Sequence, residues 1–364
     1  MADAVCAPSP HNVGAIVPGL LGPGDRSWFP ACAQRRGDPT VLLVLDGLGW
    51  NQLRERTAQS PNMAGLEGGP ITTVAPSTTA TALTSITTGT TPGEHGLIGY
   101  RIRIGGEVLN ALRWTTAGAD ARTRIVPAVA QPVPAFLGER PPVVARTEFA
   151  TSGFTAAHLA GSPYVGWRMP STLVAETAGL VRAGHRFVYA YYDGIDKVAH
   201  EYGFSSAYDC EVAAADWLVG ALLNALPAGT VLMVTADHGQ VQVGDRLRLL
   251  DSSITQHCAS QSGEGRFRWL HARAGHERDL LEAAGAQFSA EAWVVSDEQV
   301  LDEGWFGRHV TSAARSRLGH VALVAREPVA FHDADDSGPF QLICRHGSLT
   351  PDEMLVPLLA GRVS

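Results

Sequence analysis

Short apolar runs rich in β-branched residues alternate along this chain with stretches whose apolar positions recur at helical spacing. Residues 41–45 (VLLVL) are continuously hydrophobic, as a strand buried on both faces must be, and Asp46-Gly47 punctuates their end. The same grammar recurs at residues 186–192 (RFVYAYY) before Asp193-Gly194, and at residues 230–235 (TVLMVT) before Asp237-His238-Gly239. Residues 321–325 form a further predicted strand. Residues 207–226 carry a helical apolar pattern that Pro227 and Gly229 close. Strands separated by helices pair in parallel through right-handed crossovers, and ligands then gather at the carboxyl ends of the strands, where these Asp residues fall. The pattern predicts an α/β fold, a three-layer α/β/α sandwich around a mainly parallel sheet.

Two regions break the rhythm. Residues 101–142 are rich in Gly, Pro and Arg, and residues 244–336 mix polar runs with GEGRFRWLH and AWVV without βα periodicity. Both read as insertions, the second a cap that includes a return strand. Residues 39–243 and 337–364 then make the catalytic core, and the Pro- and Gly-rich residues 1–38 a lead-in.

Composition narrows the setting. The chain has 364 residues, of which 45% are apolar, enough for a substantial core. A formal net charge of -8 argues against long nucleic acid as a partner, so an anionic substrate must be attracted locally. Five widely spaced cysteines without a CxxC read as reduced thiols. The N-terminus lacks a positive n-region, and no window approaches the roughly 18 uninterrupted apolar residues of a membrane span. The expectation is a cytoplasmic protein without membrane association; the sequence does not fix an oligomeric state.

Within this frame, seven positions have the residue types that hold metal ions around a nucleophilic hydroxyl: Asp46, Thr79, Asp196, His200, Asp237, His238 and His346. In APSTTATALTSITTG, Pro76 and Ser77 end an extended segment and a helix is predicted to begin at about Thr78 or Thr79. A hydroxyl there sits among free N–H groups at the positive end of the helix dipole, where a phosphate binds. Lone Ser or Thr residues in that position more often serve only as caps. Asp196 and His200, four apart in DGIDKVAHEYG, share one helix face and can chelate one ion, although such pairs are common on helix surfaces. Asp237-His238 follows a buried strand directly, where both side chains can converge on a metal; an Asx turn beside a histidine is the plainer alternative. The set carries weight as a set.

The segments LDGLG (45–49), APSTTATALTSITTGTTPGEHGLIGY (75–100), YYDGIDKVAHEYG (191–203), TADHG (235–239) and HGSLTPDEMLVPLL (346–359) resemble the alkaline phosphatase superfamily. Within it they are similar to the nucleotide pyrophosphatase/phosphodiesterase and phosphonoacetate hydrolase branch. The resemblance spans nearly the whole chain in the family's order. It implies an alkaline phosphatase-like core and two divalent ions, zinc or manganese. One ion would be held by Asp196, His200 and His346, the other by Asp46, Asp237, His238 and the Thr79 oxygen. Thr79 matches the nucleophile of the family's Pro-Ser-x-Thr pattern and would form a phospho-threonine intermediate. Where relatives place an Asn after the HGI-type motif, this chain has HGLIGYR, with Tyr100 near that position and Asn110 as the nearest replacement. The cap arginines, Arg266 among them, suit a phosphodiester with a second anionic or aromatic portion, because guanidinium pairs phosphate and stacks on bases. Most such arginines in proteins are simply solvated.

The expected function is metal-dependent hydrolysis of a nucleotide phosphodiester. Resemblance to actinobacterial cyclic dinucleotide phosphodiesterases makes c-di-AMP the specific substrate expected. Phosphonoacetate-type C–P hydrolysis and phosphomonoester hydrolysis are the alternative activities, and a metal- and nucleotide-binding sensor is the alternative without catalysis.

Overall fold

A computed structural model of the chain describes residues 8–336 and 341–364. Its centre is a seven-stranded sheet built from β1 (Thr40–Leu45), β2 (Glu67–Thr72), β3 (Val143–Arg146), β4 (Tyr164–Trp167), β5 (Phe187–Tyr192), β6 (Val231–Thr235) and β7 (Leu355–Arg362). The spatial order is β2-β7-β6-β1-β5-β3-β4. β1 pairs in parallel with β5 and β6, and β3 pairs in parallel with β5 and β4. Only β7 opposes its neighbours, pairing antiparallel with β6 and β2.

The strands read as continuous apolar runs lie in the middle of this sheet. Val41 to Leu45 have no exposed surface, which is why VLLVL shows no alternation. Two groups of helices pack around the sheet: Pro170–Arg182, Gly194–Tyr202 and Ser206–Ala225 in one, Ile16–Leu21, Gly153–His158 and Thr79–Thr88 in the other. Val13, Ile16 and Val17, in the expected lead-in, are fully buried and belong to the main core.

A second, antiparallel sheet comprises Cys258–Glu264, Phe267–Ala272, Val321–Ala325 and Ala292–Ser296 in that order across the sheet. It carries its own apolar cluster, in which Leu270, Leu280, Phe288 and Leu323 are buried. The sequence motif GEGRFRWLH spans the end of the first strand, the turn and most of the second strand of its hairpin. A small four-stranded meander spans Arg101–Ile104 to Ala119–Asp120. No helix among the described residues is long and apolar enough to cross a membrane. Cys32, Cys210, Cys258 and Cys344 are free thiols.

Candidate active site at the strand ends

β1 delivers Asp46 at its carboxyl end, and Ala236 separates the end of β6 from Asp237 and His238. After β5 comes Asp193, followed by the helix Gly194–Tyr202, whose one face carries Asp196 and His200. Gly47 has φ of 75°, and a Cβ there would stand 2.9 Å from the Asp196 Cβ, so the Asp-Gly turn needs glycine for close approach as well as for conformation.

The nucleophile candidate lies on a helix of its own. Thr79 is the first residue of helix Thr79–Thr88, every residue of which is buried, and Thr78 is its N-cap without a side-chain capping bond. The Thr79 Oγ1 lies 3.1 Å from His238 Nε2. The same nitrogen is 3.4 Å from Asp46 Oδ1 and 3.5 Å from Asp237 Oδ2. On the other side, Asp196 Oδ1 is 3.2 Å from His200 Nε2 and 3.9 Å from His346 Nε2. The His238 and His346 rings stack at 3.6 Å. The fold therefore brings all seven sequence-predicted residues into one cluster.

Its polar groups are arranged as metal ligands require. The Nδ1 atoms of His200, His238 and His346 lie 2.7, 3.0 and 2.9 Å from the carbonyl oxygens of Cys344, Gly239 and Ser77. Each ring thus donates from Nδ1 and leaves the Nε2 lone pair facing the cluster. Asp237 Oδ1 accepts from the N–H groups of Gly47 and His238, both at 3.1 Å, while Asp46 Oδ2 accepts from the Tyr191 hydroxyl. The remaining oxygens, Asp46 Oδ1 and Asp237 Oδ2, are buried with no hydrogen-bond partner. Two buried carboxylate oxygens without a hydrogen bond, both within 3.5 Å of His238 Nε2, fit a divalent cation, since unpaired buried charge is otherwise costly. Asp46, Asp237 and His238 form one group of converging donors; Asp196, His238 and His346 form another. His238 is thus the corner common to both.

Electrostatics agree. Burial, with Asp237 and Asp196 adding repulsion, holds the Asp46 carboxyl well above its ordinary pKa, and burial also raises that of Asp237. Burial, with His238 and His200 close by, pushes His346 well below the ordinary histidine range, so it stays neutral as a ligand must.

Asp46, Thr79 and Asp196 line a cavity of about 190 Å³. Its lining is otherwise largely apolar and includes Leu83, Phe149, Phe154 and Tyr164, together with Asp193 and Lys197. Tyr100 and Asn110 fall elsewhere: Asn110 Nδ2 donates to the Tyr100 hydroxyl at 2.6 Å, and both line a separate polar groove of about 880 Å³ with Arg113 and Arg124. Arg266 corrects the expectation of a substrate-facing cap arginine. It is fully buried, with Nε and Nη2 each donating to Glu353 at 2.8 Å and Nη1 donating to the carbonyls of Glu327 and Val329.

Sequence reasoning passed over four residues that shape the site. Ser77 ties the segment leading to Thr79 to the His346 loop: its Oγ donates to Ser348 O at 2.6 Å and accepts from Gly347 N at 3.2 Å. Gln240 Nε2 donates to Asp196 Oδ1 at 2.6 Å. Tyr191 orients Asp46, and Lys197, one residue after Asp196, pairs with Asp193. Only their closeness in sequence to the motifs could have pointed to them.

Comparison with known proteins follows this geometry. A family model described as type I phosphodiesterase / nucleotide pyrophosphatase matches residues 40–178 and 167–350. No curated protein matches by sequence. Among solved structures, murine ectonucleotide pyrophosphatase / phosphodiesterase 5 aligns with a TM-score of 0.67 at 16% identity, covering 88% of this chain and 87% of that one. An inactive variant of it in complex with AMP aligns at 0.66 and 16%, covering 89% and 88%. Phosphonoacetate hydrolase from Sinorhizobium meliloti 1021, in complex with phosphonoformate, aligns at 0.61 and 17%, covering 92% and 93%. These likenesses show the fold.

Proposed function

Since the chain belongs to the type I phosphodiesterase / nucleotide pyrophosphatase family and is a phosphodiester hydrolase, we propose that it cleaves nucleotide phosphodiesters by attack of Thr79. The observation that carries this reading is the position of the Thr79 hydroxyl. It stands at a helix N-terminus, 3.1 Å from His238, at the junction of a buried carboxylate-histidine cluster and an apolar cavity.

The residues divide the work. Asp196, His200 and His346 would hold one divalent ion and Asp46, Asp237 and His238 the other, with zinc or manganese suited to this mixed donor set. When bound, such ions lower the pKa of a hydroxyl and neutralise charge on a phosphate. Tyr191, Gln240 and the three carbonyls behind the histidines fix the ligand side chains in orientation. The Thr79 hydroxyl gives up its proton to solvent and its oxygen forms a bond to phosphorus as the ester oxygen in line behind it departs with the bonding pair and takes up a proton from solvent. Water then forms the new P–O bond, the phospho-Thr79 ester breaks, and the hydroxyl is restored. The backbone N–H groups at the start of helix Thr79–Thr88 are placed to receive the equatorial phosphate oxygens.

Substrate choice rests on the cavity. A wall of Leu83, Phe149, Phe154 and Tyr164 suits the flat apolar face of a nucleobase better than a small dianion, which favours a nucleotide diester over phosphonoacetate. The structural relative whose inactive variant was solved in complex with AMP is consistent with this choice. Among nucleotide diesters we propose c-di-AMP as substrate, on the resemblance to cyclic dinucleotide phosphodiesterases and on a cavity whose apolar wall suits a nucleobase.

The test is a panel with the zinc- or manganese-loaded protein: c-di-AMP, linear dinucleotides, bis-p-nitrophenyl phosphate, p-nitrophenyl phosphate and phosphonoacetate, with products resolved by mass. Diester cleavage is expected to fall by about 1,000-fold or more in Thr79→Ala. Undiminished diester cleavage in that variant, or turnover of the monoester alone, overturns the reading.

A further inference from the structure

The cap holds a second set of convergent ligand atoms that the proposed chemistry does not use. His257 lies in the loop between helix Ser252–Thr255 and strand Cys258–Glu264, while His276 is the N-cap of helix Glu277–Phe288 and Asp279 lies in that helix's first turn. Their donor atoms make a compact triangle. His257 Nδ1 is 3.0 Å from His276 Nδ1, His276 Nδ1 is 3.3 Å from Asp279 Oδ2, and His257 Nδ1 is 3.9 Å from the same oxygen. An ion bound tetrahedrally through bonds of about 2.0–2.2 Å needs neighbouring donors about 3.3–3.6 Å apart. The three sides bracket that value.

Hydrogen bonding alone accounts poorly for the arrangement. A single proton on His276 Nδ1 cannot point well at both His257 Nδ1 and Asp279 Oδ2, yet all three atoms face one another. A cation replacing that proton satisfies all three at once. Two imidazole nitrogens and one carboxylate oxygen favour a borderline transition ion, zinc first. The His276 and Asp279 side chains are 44% and 54% exposed, so the fourth position opens to water and the ion can exchange. Glu277, in the same first turn, adds negative charge that offsets the positive end of the helix.

We propose that His257, His276 and Asp279 form a zinc site on the cap, separate from the Thr79 cluster. The site joins two segments whose apolar residues, Ile254 from one and Leu280 from the other, meet in the cap's own core. Its effect is therefore to staple the cap, and the chemistry at Thr79 does not pass through it.

The experiment is zinc stoichiometry by equilibrium dialysis and elemental analysis on the full chain, for wild type, His257→Gln and Asp279→Asn. Each variant is expected to bind one equivalent fewer than wild type, to lose zinc-dependent thermal stabilisation beyond that given by the other sites, and to keep its phosphodiester turnover. Because the count is a difference between chains with identical Thr79 clusters, it holds whether or not the reading of that cluster is right. The two substitutions are independent, so misfolding of one leaves the other decisive. Equal stoichiometry in wild type and a folded variant overturns the site and leaves a hydrogen-bonded histidine pair.

Discussion

At the residue scale, the most unusual carboxylate outside the Thr79 cluster is Glu264. It ends the first strand of the cap hairpin, where its Oε2 accepts from Tyr100 N at 2.8 Å while its Oε1 is buried without a partner. Burial pushes its pKa from 4.5 up to about 8. A carboxyl whose folded pKa is raised favours the folded state fully below its unfolded value. That contribution is lost as pH rises through about 8. Glu264→Gln retains a carbonyl acceptor for Tyr100 and cannot ionise. In metal-stripped protein it is expected to be more stable than wild type at pH 9, by up to a few kcal/mol, and near equal at pH 4.5. Denaturant titrations at the two pH values check this; a parallel loss in both proteins contradicts it. Lys197 offers a second case. Its ammonium pairs with Asp193 and both residues line the cavity, so Lys197→Met should raise KM for a nucleotide diester about tenfold, or about 1.4 kcal/mol, with kcat changed less. A fall confined to kcat would contradict a role in substrate binding.

At the scale of elements, the buried pair Arg266–Glu353 joins the cap hairpin to the segment carrying His346. Glu353 lies in helix Pro351–Met354, accepts both Arg266 bonds and also takes the N–H of Ser348 at 2.9 Å. Removing one partner leaves the other as an uncompensated buried charge, at a cost of about 3–5 kcal/mol. Arg266→Met is expected to lower stability by that amount, and Arg266→Met combined with Glu353→Leu by less than the two single losses added. Additive losses in a thermal double-mutant cycle would show that the pair is not coupled. Arg266 also shows where sequence stops being readable: in GEGRFRWLH nothing distinguishes a solvated arginine from one whose carboxylate partner lies 87 positions away. Elements whose pattern is local were legible. Residues 41–45, 186–192, 230–235, 207–226 and 321–325 match observed elements to within a residue at each end. β2 and β7 were not, because each breaks a local rule for a tertiary reason. β2 reads Glu-Gly-Gly-Pro-Ile-Thr, and a Cβ on Gly68 would meet the Leu358 carbonyl at 2.1 Å. Pro357 in β7 pairs opposite Pro70 in β2, so two residues without an N–H face each other. The seven residues that the fold gathers stood out because most of them sit at the ends of apolar strand runs and at the start of helices. The groups that orient them, Ser77, Gln240 and Tyr191, did not, since a hydrogen bond between loops leaves no periodicity behind.

At the scale of the whole molecule, the sheet gathers like charges in its centre. Asp46 and Asp237, on neighbouring strand ends, are buried, and the partly exposed Asp196 beside them adds a third carboxylate. Without cations the raised pKa of Asp46 makes the stripped protein lose stability as pH rises through that value, because the folded state holds a proton the unfolded state has released. Cations act in the opposite sense. At the proposed sites they would bind the ionised carboxylates, so their affinity would grow with pH, and each site filled at 100 times its Kd would add about 2.7 kcal/mol to the folded state. The two effects reinforce each other. Chelation should therefore lower Tm by more at pH 8 than at pH 6, and Asp46→Asn should shrink that difference while abolishing diester hydrolysis. Thermal melts of both chains, with and without chelator at the two pH values, measure it directly. A chelator effect of the same size at both pH values, or one that Asp46→Asn leaves unchanged, would mean that the charge gathered at the strand ends is not what the ions neutralise.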